Sequence, residues 1–245
     1  MKLLKSTDEA VTVTADAYVD LAGFSLGHVT VAEGATLYGM DSATDDYDCA
    51  DGYGKIASIT GSYAPHHQTE VNGNPQRYLA VAEDDGISFH RFYVGIQSVS
   101  LKPGATGFGY KAIFGGDTLI KTALDENEAF GYKLWIDPDH VVSASKNRED
   151  FVSGKTVSLL LKNFDVANHG QTPVSASVYV KLADGTVIES AEYTYAMKDM
   201  VEQINEGYTA YSFDQLKAVA QMIQRNEAMQ SWNVANILAS QEIPE

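Results

Sequence analysis

Residues Val174 to Tyr195 read V-S-A-S-V-Y-V-K-L-A-D-G-T-V-I-E-S-A-E-Y-T-Y. Val174, Ala176, Val178, Val180 and Leu182 fall at every second position, so an extended chain carries all five on one face. Ala183-Asp184-Gly185-Thr186 then supplies tight-turn chemistry before a second β-prone run begins. This is the clearest hairpin of the chain. Short strands of this kind, separated by frequent turns, favour a β-sandwich.

The same period extends upstream. Phe108, Tyr110, Ala112 and Phe114 alternate, as do Phe130, Tyr132, Leu134 and Ile136, and Val157, Leu159 and Leu161. Nearer the start, Val11 and Val13, Phe24 to Leu26, and Val29 to Val31 form short β-like runs between glycines 23, 27, 34 and 39. Residues 41–76 are rich in Gly and Pro and predict a long loop, and long loops are often functional. Strands resume at Arg77 to Val81 and at Ser88 to Leu101, before a corner at Lys102-Pro103-Gly104-Ala105.

Downstream, the period changes. Met197, Met200, Val201 and Ile204 share one helical face, and Ser212 with Gln215 predicts a capping box for a helix with the stripe Leu216, Val219, Ala220 and Ile223. The expected architecture is all-β, two packed β-sandwich-like units with a short helical C-terminal appendage. Its parts are an N-terminal β domain over 1–102 holding the loop-rich ligand region, an Ig-like second sandwich over 103–196, and helices over 197–245 packed on that sandwich. Trp232 is expected to anchor those helices.

The 245 residues are 44% hydrophobic, enough to bury a core, and carry 17 basic against 33 acidic side chains, a formal net charge of −16. That field repels phosphate backbones and anionic headgroups, so nucleic acid and membrane surfaces are not expected partners. No apolar run reaches the roughly 18 residues of a membrane span. Met1 to Asp8 lack the apolar stretch of a signal peptide, so none is expected in this sequence. The single cysteine, Cys49, cannot form an intrachain bridge.

Several motifs occur together: Thr44-Asp-Asp-Tyr-Asp48, Gly52-Tyr-Gly-Lys-Ile56, His66-His67-Gln-Thr69, Arg77-Tyr-Leu79 and Ser88-Phe-His-Arg-Phe-Tyr-Val-Gly95. Further along come Thr106-Gly-Phe-Gly-Tyr-Lys111, Leu160-Leu-Lys-Asn-Phe-Asp165 and Tyr195-Ala-Met-Lys-Asp-Met-Val201. The set resembles a domain recurring in large secreted, multidomain surface proteins of clostridial gut bacteria, over roughly residues 36 to 238. The resemblance implies an extracellular, cell-surface setting, a monomeric module within a larger protein, and attachment to a glycan or to host material. It carries over no catalytic residues, and Cys49 is not a fixed element of it.

Four chemistries compete for the polar residues. Gly23-Phe24-Ser25-Leu26-Gly27 matches a nucleophile elbow, but the following residues read as a strand and not the helix that motif needs. Cys49 stands among Asp45, Asp46, Asp48 and Asp51, which would raise a thiol pKa and so oppose catalysis with His66 or His67. Asp41, Asp45, Asp46, Asp48 and Asp51 offer oxygens for a non-EF calcium site, since the EF-hand register fails. Calcium is the one cofactor these residues suggest, and zinc spacing is missing.

The fourth chemistry is carbohydrate recognition, in which an aromatic face meets sugar C–H groups and polar side chains read hydroxyls. Tyr38, Tyr47, Tyr53, Tyr63 and Tyr78, with His66, His67, Gln68 and nearby aspartates, supply both elements around the loop-rich region. Tyr38, Tyr47, Tyr53, Tyr78, His66, His67 and Arg91 are the expected site residues, and Trp135, beside Lys133 on the non-core face of its strand, is a second platform. His90 shares its face with Phe92, Val94 and Ile96 and reads as a satisfied core histidine. The expected function is non-catalytic binding of a glycan or surface polysaccharide, an α-glucan such as starch being one candidate. The alternative is a structural or adhesive spacer whose acidic loop binds calcium or nothing, and glycan-degrading catalysis is a third reading.

Overall fold

The computed structural model describes residues 1–43, 53–71, 73–102, 107–116, 119–207 and 211–239. The chain is predominantly β with short C-terminal helices, as the alternation predicts. Strands β1 (Val11–Val13), β2 (Ala17–Asp20), β3 (Leu26–Val31), β4 (Leu37–Met40) and β5 (Lys55–Thr60) open it. Their pairing is parallel: β1 with β3, β3 with β5, and β2 with β4. Val11 lies beside Val29 and Ala17 beside Leu37, so the chain returns onto itself in stacked coils. The next coil is longer, since Leu26 meets Ile56 only after the aspartate-rich segment has been inserted. Alternating Val, Leu and Ile positions fill the coil interior: Val13, Val19, Leu26, Val29, Val31, Leu37 and Ile56, closed by Phe89. Gly39 sits where any Cβ would run into the buried Phe89 ring. Alternation reports a strand but not the direction of its neighbour, so this stacking was not readable from the period.

Strands β6 (His66–Val71), β7 (Asn74–Glu83), β8 (Gly86–Lys102) and β9 (Gly107–Gly115) follow as an antiparallel meander. The first half of the 17-residue β8 pairs with β5 and β7, and its second half pairs with β9. Lys102 therefore ends a strand that hydrogen-bonds into both halves of the molecule. After α1 (Ile120–Ala123), β10 (Phe130–Trp135) and β11 (Val141–Lys146) begin a second, antiparallel sheet. β12 (Thr156–Leu161) returns to pair with β9, and α2 (Val166–His169) leads to β13 (Val174–Lys181), β14 (Val187–Glu189) and β15 (Tyr193–Tyr195) of the second sheet.

The predicted hairpin is β13–β14. Its turn is fixed by Gly185 at φ +88° and by Asp184 Oδ1, which accepts the Thr186 N–H at 2.8 Å. Val174, Ala176, Val178 and Val180 are buried as expected, facing Phe108, Tyr110, Ala112 and Phe114 of the first sheet. The Tyr110 hydroxyl donates to the Val174 carbonyl and so ties the two sheets together. Helices α3 (Met197–Asn205), α4 (Phe213–Gln224) and α5 (Ala235–Ala239) seal the same core with Met197, Val201, Val219 and Ile223. The capping box at Ser212 and Gln215 is present, and Trp232 is buried among these helices.

Candidate functional site

The pairing of β8 explains where a cleft opens. Its ladder with β7 ends at Arg77 opposite Phe92, and its ladder with β9 starts at Tyr93 opposite Gly115. A fork is left between the start of β7 and the middle of β8, and the segment Ser190–Tyr193 of the second sheet covers it. The resulting cleft has a volume of about 400 Å³. Gln68, Gln76, Arg77, Tyr93, Glu192 and Tyr193 bring chemistry to it, and Arg91 also lines it. Arg77 Nε donates to Gln68 Oε1 at 3.2 Å, which holds the guanidinium in place. Tyr93 and Tyr193 are 39% and 37% exposed, high for large aromatics. The Tyr193 ring is held edge-on to the buried Tyr110, centroids 5.6 Å apart.

A second cleft, of about 720 Å³, adjoins the first. Gln97, Ser98, Lys111, Gln203, Tyr211 and Gln215 are among its lining residues, and Tyr193 lines both clefts. The register of β8 against β9 shifts between Ile96 and Ser98, an irregularity that re-aims Gln97 at the junction.

Among the described residues the expected loop aromatics divide between two places. Tyr38 and His67 come together, with Tyr18 as an unforeseen third member. Tyr18 and Tyr38 are register partners on adjacent coils and stack at 4.8 Å, while His67 meets Tyr38 edge-on at 5.6 Å. Tyr18 is 47% exposed. Tyr78 joins the stack from behind, 5.8 Å from His67, but is only 1% exposed. It is a floor for the stack and offers no face to a ligand, because β7 is buried on both faces at Tyr78 and Leu79. His67 has neither ring nitrogen hydrogen-bonded among the described residues. Burial first, and then the charge of His66, depress its pKa to about 4, so it is neutral at pH 7. Signal for Tyr18 existed only in the spacing to Tyr38, which means nothing until parallel coils are known.

Tyr53 packs on His90, centroids 3.8 Å apart. His90 is buried, as its periodicity predicts, with Nε2 2.6 Å from Ser88 Oγ. The same hydroxyl donates to Glu83 Oε1 at 2.6 Å, and Glu83 pairs with Lys55 at 3.0 Å. Ser88 has one proton, and Glu83 takes it, so His90 must be the donor toward Ser88. That polarity is wrong for activating a nucleophile, and Ser88 is wholly buried. Ser25 is likewise followed by strand β3 and not by a helix, so the nucleophile-elbow context is missing.

Asp41 is fully buried. Its Oδ1 accepts from the N–H groups of Gly23 (2.8 Å) and Ala43 (3.1 Å), and its Oδ2 from Gly54 (2.8 Å). Burial pushes its carboxyl above the ordinary range, the three N–H groups pull it back, and Asp20 adds repulsion. It is a carboxylate that closes the coil and not an exposed metal ligand. Asp45, Asp46, Asp48, Asp51, Tyr47 and Cys49 lie outside the described residues. Among the described residues no group of three or more His, Cys, Asp or Glu is placed to hold a metal. Trp135 is half-buried on the outer face of the second sheet, with Lys133 Nζ 5.0 Å from its ring centroid, apart from both clefts. The residues that sequence reasoning missed are Gln76, Arg77, Tyr93, Glu192 and Tyr193, which meet only once the two sheets face each other, while Gln68 follows the expected His66-His67 pair into the cleft.

No protein-family model matches the chain. No curated protein matches it either. Among solved structures, wild-type OgpA from Akkermansia muciniphila is 14% identical, with a TM-score of 0.26, over 43% of this chain and 27% of that one. Catalytically inactive OgpA from the same organism, in complex with an O-glycopeptide substrate, is 16% identical with a TM-score of 0.25, over 43% and 28%. The chain thus spans little more than a quarter of those proteins, at a likeness too low to carry function across. Among the described residues no helix is long and apolar enough to cross a membrane.

Proposed function

We propose that the chain is a non-catalytic carbohydrate-binding module of an extracellular surface protein, and that sugar docks in the cleft between β7, β8 and Ser190–Tyr193. The observation that carries this reading is Tyr193. It is an exposed aromatic ring, fixed by Tyr110 from behind, at the mouth of a concave surface whose polar groups are amides, hydroxyls, the guanidinium groups of Arg77 and Arg91, and the Glu192 carboxylate. Ring faces suit sugar C–H groups, and Gln68, Gln76 and Arg77 suit hydroxyls. Among the described residues the carboxylate lining this cleft is Glu192. Its Oε1 already accepts from the Ser175 and Thr194 hydroxyls at 2.6 and 3.1 Å, an arrangement suited to holding and not to acid–base work. The extracellular setting rests on the sequence resemblance.

Retention on insoluble polysaccharides and a broad glycan array test the reading. Tyr193→Ala should weaken binding at least tenfold, which is about 1.4 kcal/mol, with the fold retained. Release of reducing sugar from any polysaccharide would end the non-catalytic reading. Silence across the array would leave a structural or adhesive spacer.

A further inference from the structure

We infer that the two adjoining clefts form one groove, and that it selects a linear oligosaccharide carrying carboxylate groups, with Arg77 as the anchor for one of them; this rests on the carbohydrate reading above. Continuity comes from the lining. Gly95 and Ile96 line the first cleft, Gln97 and Ser98 the second, and Tyr193 belongs to both. Each cleft alone has the size that holds a small ligand. Joined, they suit a chain of several sugar units.

Selectivity comes from charge. The whole chain has 33 acidic and 17 basic residues, yet the described residues lining the groove include Arg77 and Lys111, with Glu192 as the carboxylate. Glu192 is held aside through Oε1, which accepts from two hydroxyls. Among the described residues neither Arg77 nor Lys111 has a carboxylate within 4.0 Å. Arg77 is held at Nε by Gln68, which leaves its terminal nitrogens as a fork, the geometry that grips a carboxylate in two parallel hydrogen bonds. An acidic surface with a locally basic groove repels anions everywhere except along that groove.

Calorimetry on the full chain tests this with oligogalacturonates of two and six units, a maltohexaose of neutral charge, a sulfated hexasaccharide and an acidic peptide. The hexagalacturonate should bind at least tenfold more tightly than maltohexaose and more tightly than the dimer, and its affinity should fall as salt is raised. Arg77→Gln should remove the preference for the acidic hexamer, weakening hexagalacturonate binding at least tenfold more than maltohexaose binding. Lys111→Gln should reduce the preference severalfold, and it serves should Arg77→Gln fail to fold. Equal affinity for the neutral and acidic hexamers would overturn the selectivity and leave the carbohydrate reading standing. A dimer as tight as the hexamer would overturn the single groove. Preference for the sulfated sugar would overturn the carboxylate assignment. Binding of the acidic peptide with no sugar bound would overturn this inference and the reading beneath it.

Discussion

In the N-terminal coils β1 finds its partner β3 eighteen residues later, whereas in the second region the Tyr110 hydroxyl meets the Val174 carbonyl across 64 residues. The two regions also close their interiors differently. The coils have a narrow apolar stripe, so they rely on buried polar ties: Asp41 on three backbone N–H groups, and Ser88 between His90 and Glu83. The two-sheet region has a broad apolar core to which both sheets and the helices contribute. Its tolerance is limited by shape and not by polar satisfaction. The difference teaches where each region is fragile, and β8 makes the fragility common to both.

The largest effect is expected in the coils. Asp41→Ala would leave the N–H groups of Gly23, Ala43 and Gly54 without this acceptor, at about 1–3 kcal/mol for each that stays dry. A loss of roughly 4 kcal/mol in denaturant unfolding is expected overall. Because β8 belongs to both regions, the loss should appear in one transition. Two separate transitions would break the comparison. Next comes Gly109→Ala in β9. A Cβ there would be driven into the Leu159 carbonyl of the paired strand, which cannot turn aside, at about 3 kcal/mol. The same change at Gly34, whose Cβ would meet nothing within 4 Å, should cost only the strain of its φ of +81°.

The third expectation sharpens the coil side through pH. The His67 pKa is about 4 in the folded chain against an ordinary 6.5, so the unfolded chain takes up a proton first as pH falls. Stability is therefore fully present above about pH 6.5 and is lost progressively down to about pH 4. The partly exposed ring limits the loss to about 1–2 kcal/mol. His67→Phe should flatten that slope between pH 7 and 4.5, and an unchanged slope would assign the titration elsewhere. The smallest effect belongs to the helices: Ser212→Ala removes the acceptor for the Gln215 N–H and should cost about 1 kcal/mol.

Legibility followed how locally each feature is determined. The β13–β14 hairpin, the helical stripes, the capping box and the burial of His90 are written within a few residues of one another, and all are present. Parallel stacking is not local, since Val11 and Val29 alternate just as antiparallel strands would. Asp41 looked like its acidic neighbours because sequence reports charge and not the glycines that fold back upon it. Tyr38 and His67, both expected at a ligand, do lie together, but the groove draws on the β6–β7 hairpin at Gln68 and Arg77 and on Tyr193 of the second sheet, segments more than 100 residues apart in the chain.

The short reach of the coil pairing has a further consequence, for the order in which the protein is made. A chain leaving the ribosome from its N-terminus exposes β1 to β5 before β8, so the parallel pairing of the coils needs only residues already emerged, and Phe89 of β8 closes their interior afterwards. Loop closure there is cheap and early. The hydroxyl of Tyr110, by contrast, waits for the last quarter of the chain before the Tyr195 carbonyl, 85 residues on, arrives within 3.4 Å of it. Synthesis therefore winds the coils first, with β8 held out as the unfinished edge on which the remaining sheet is laid.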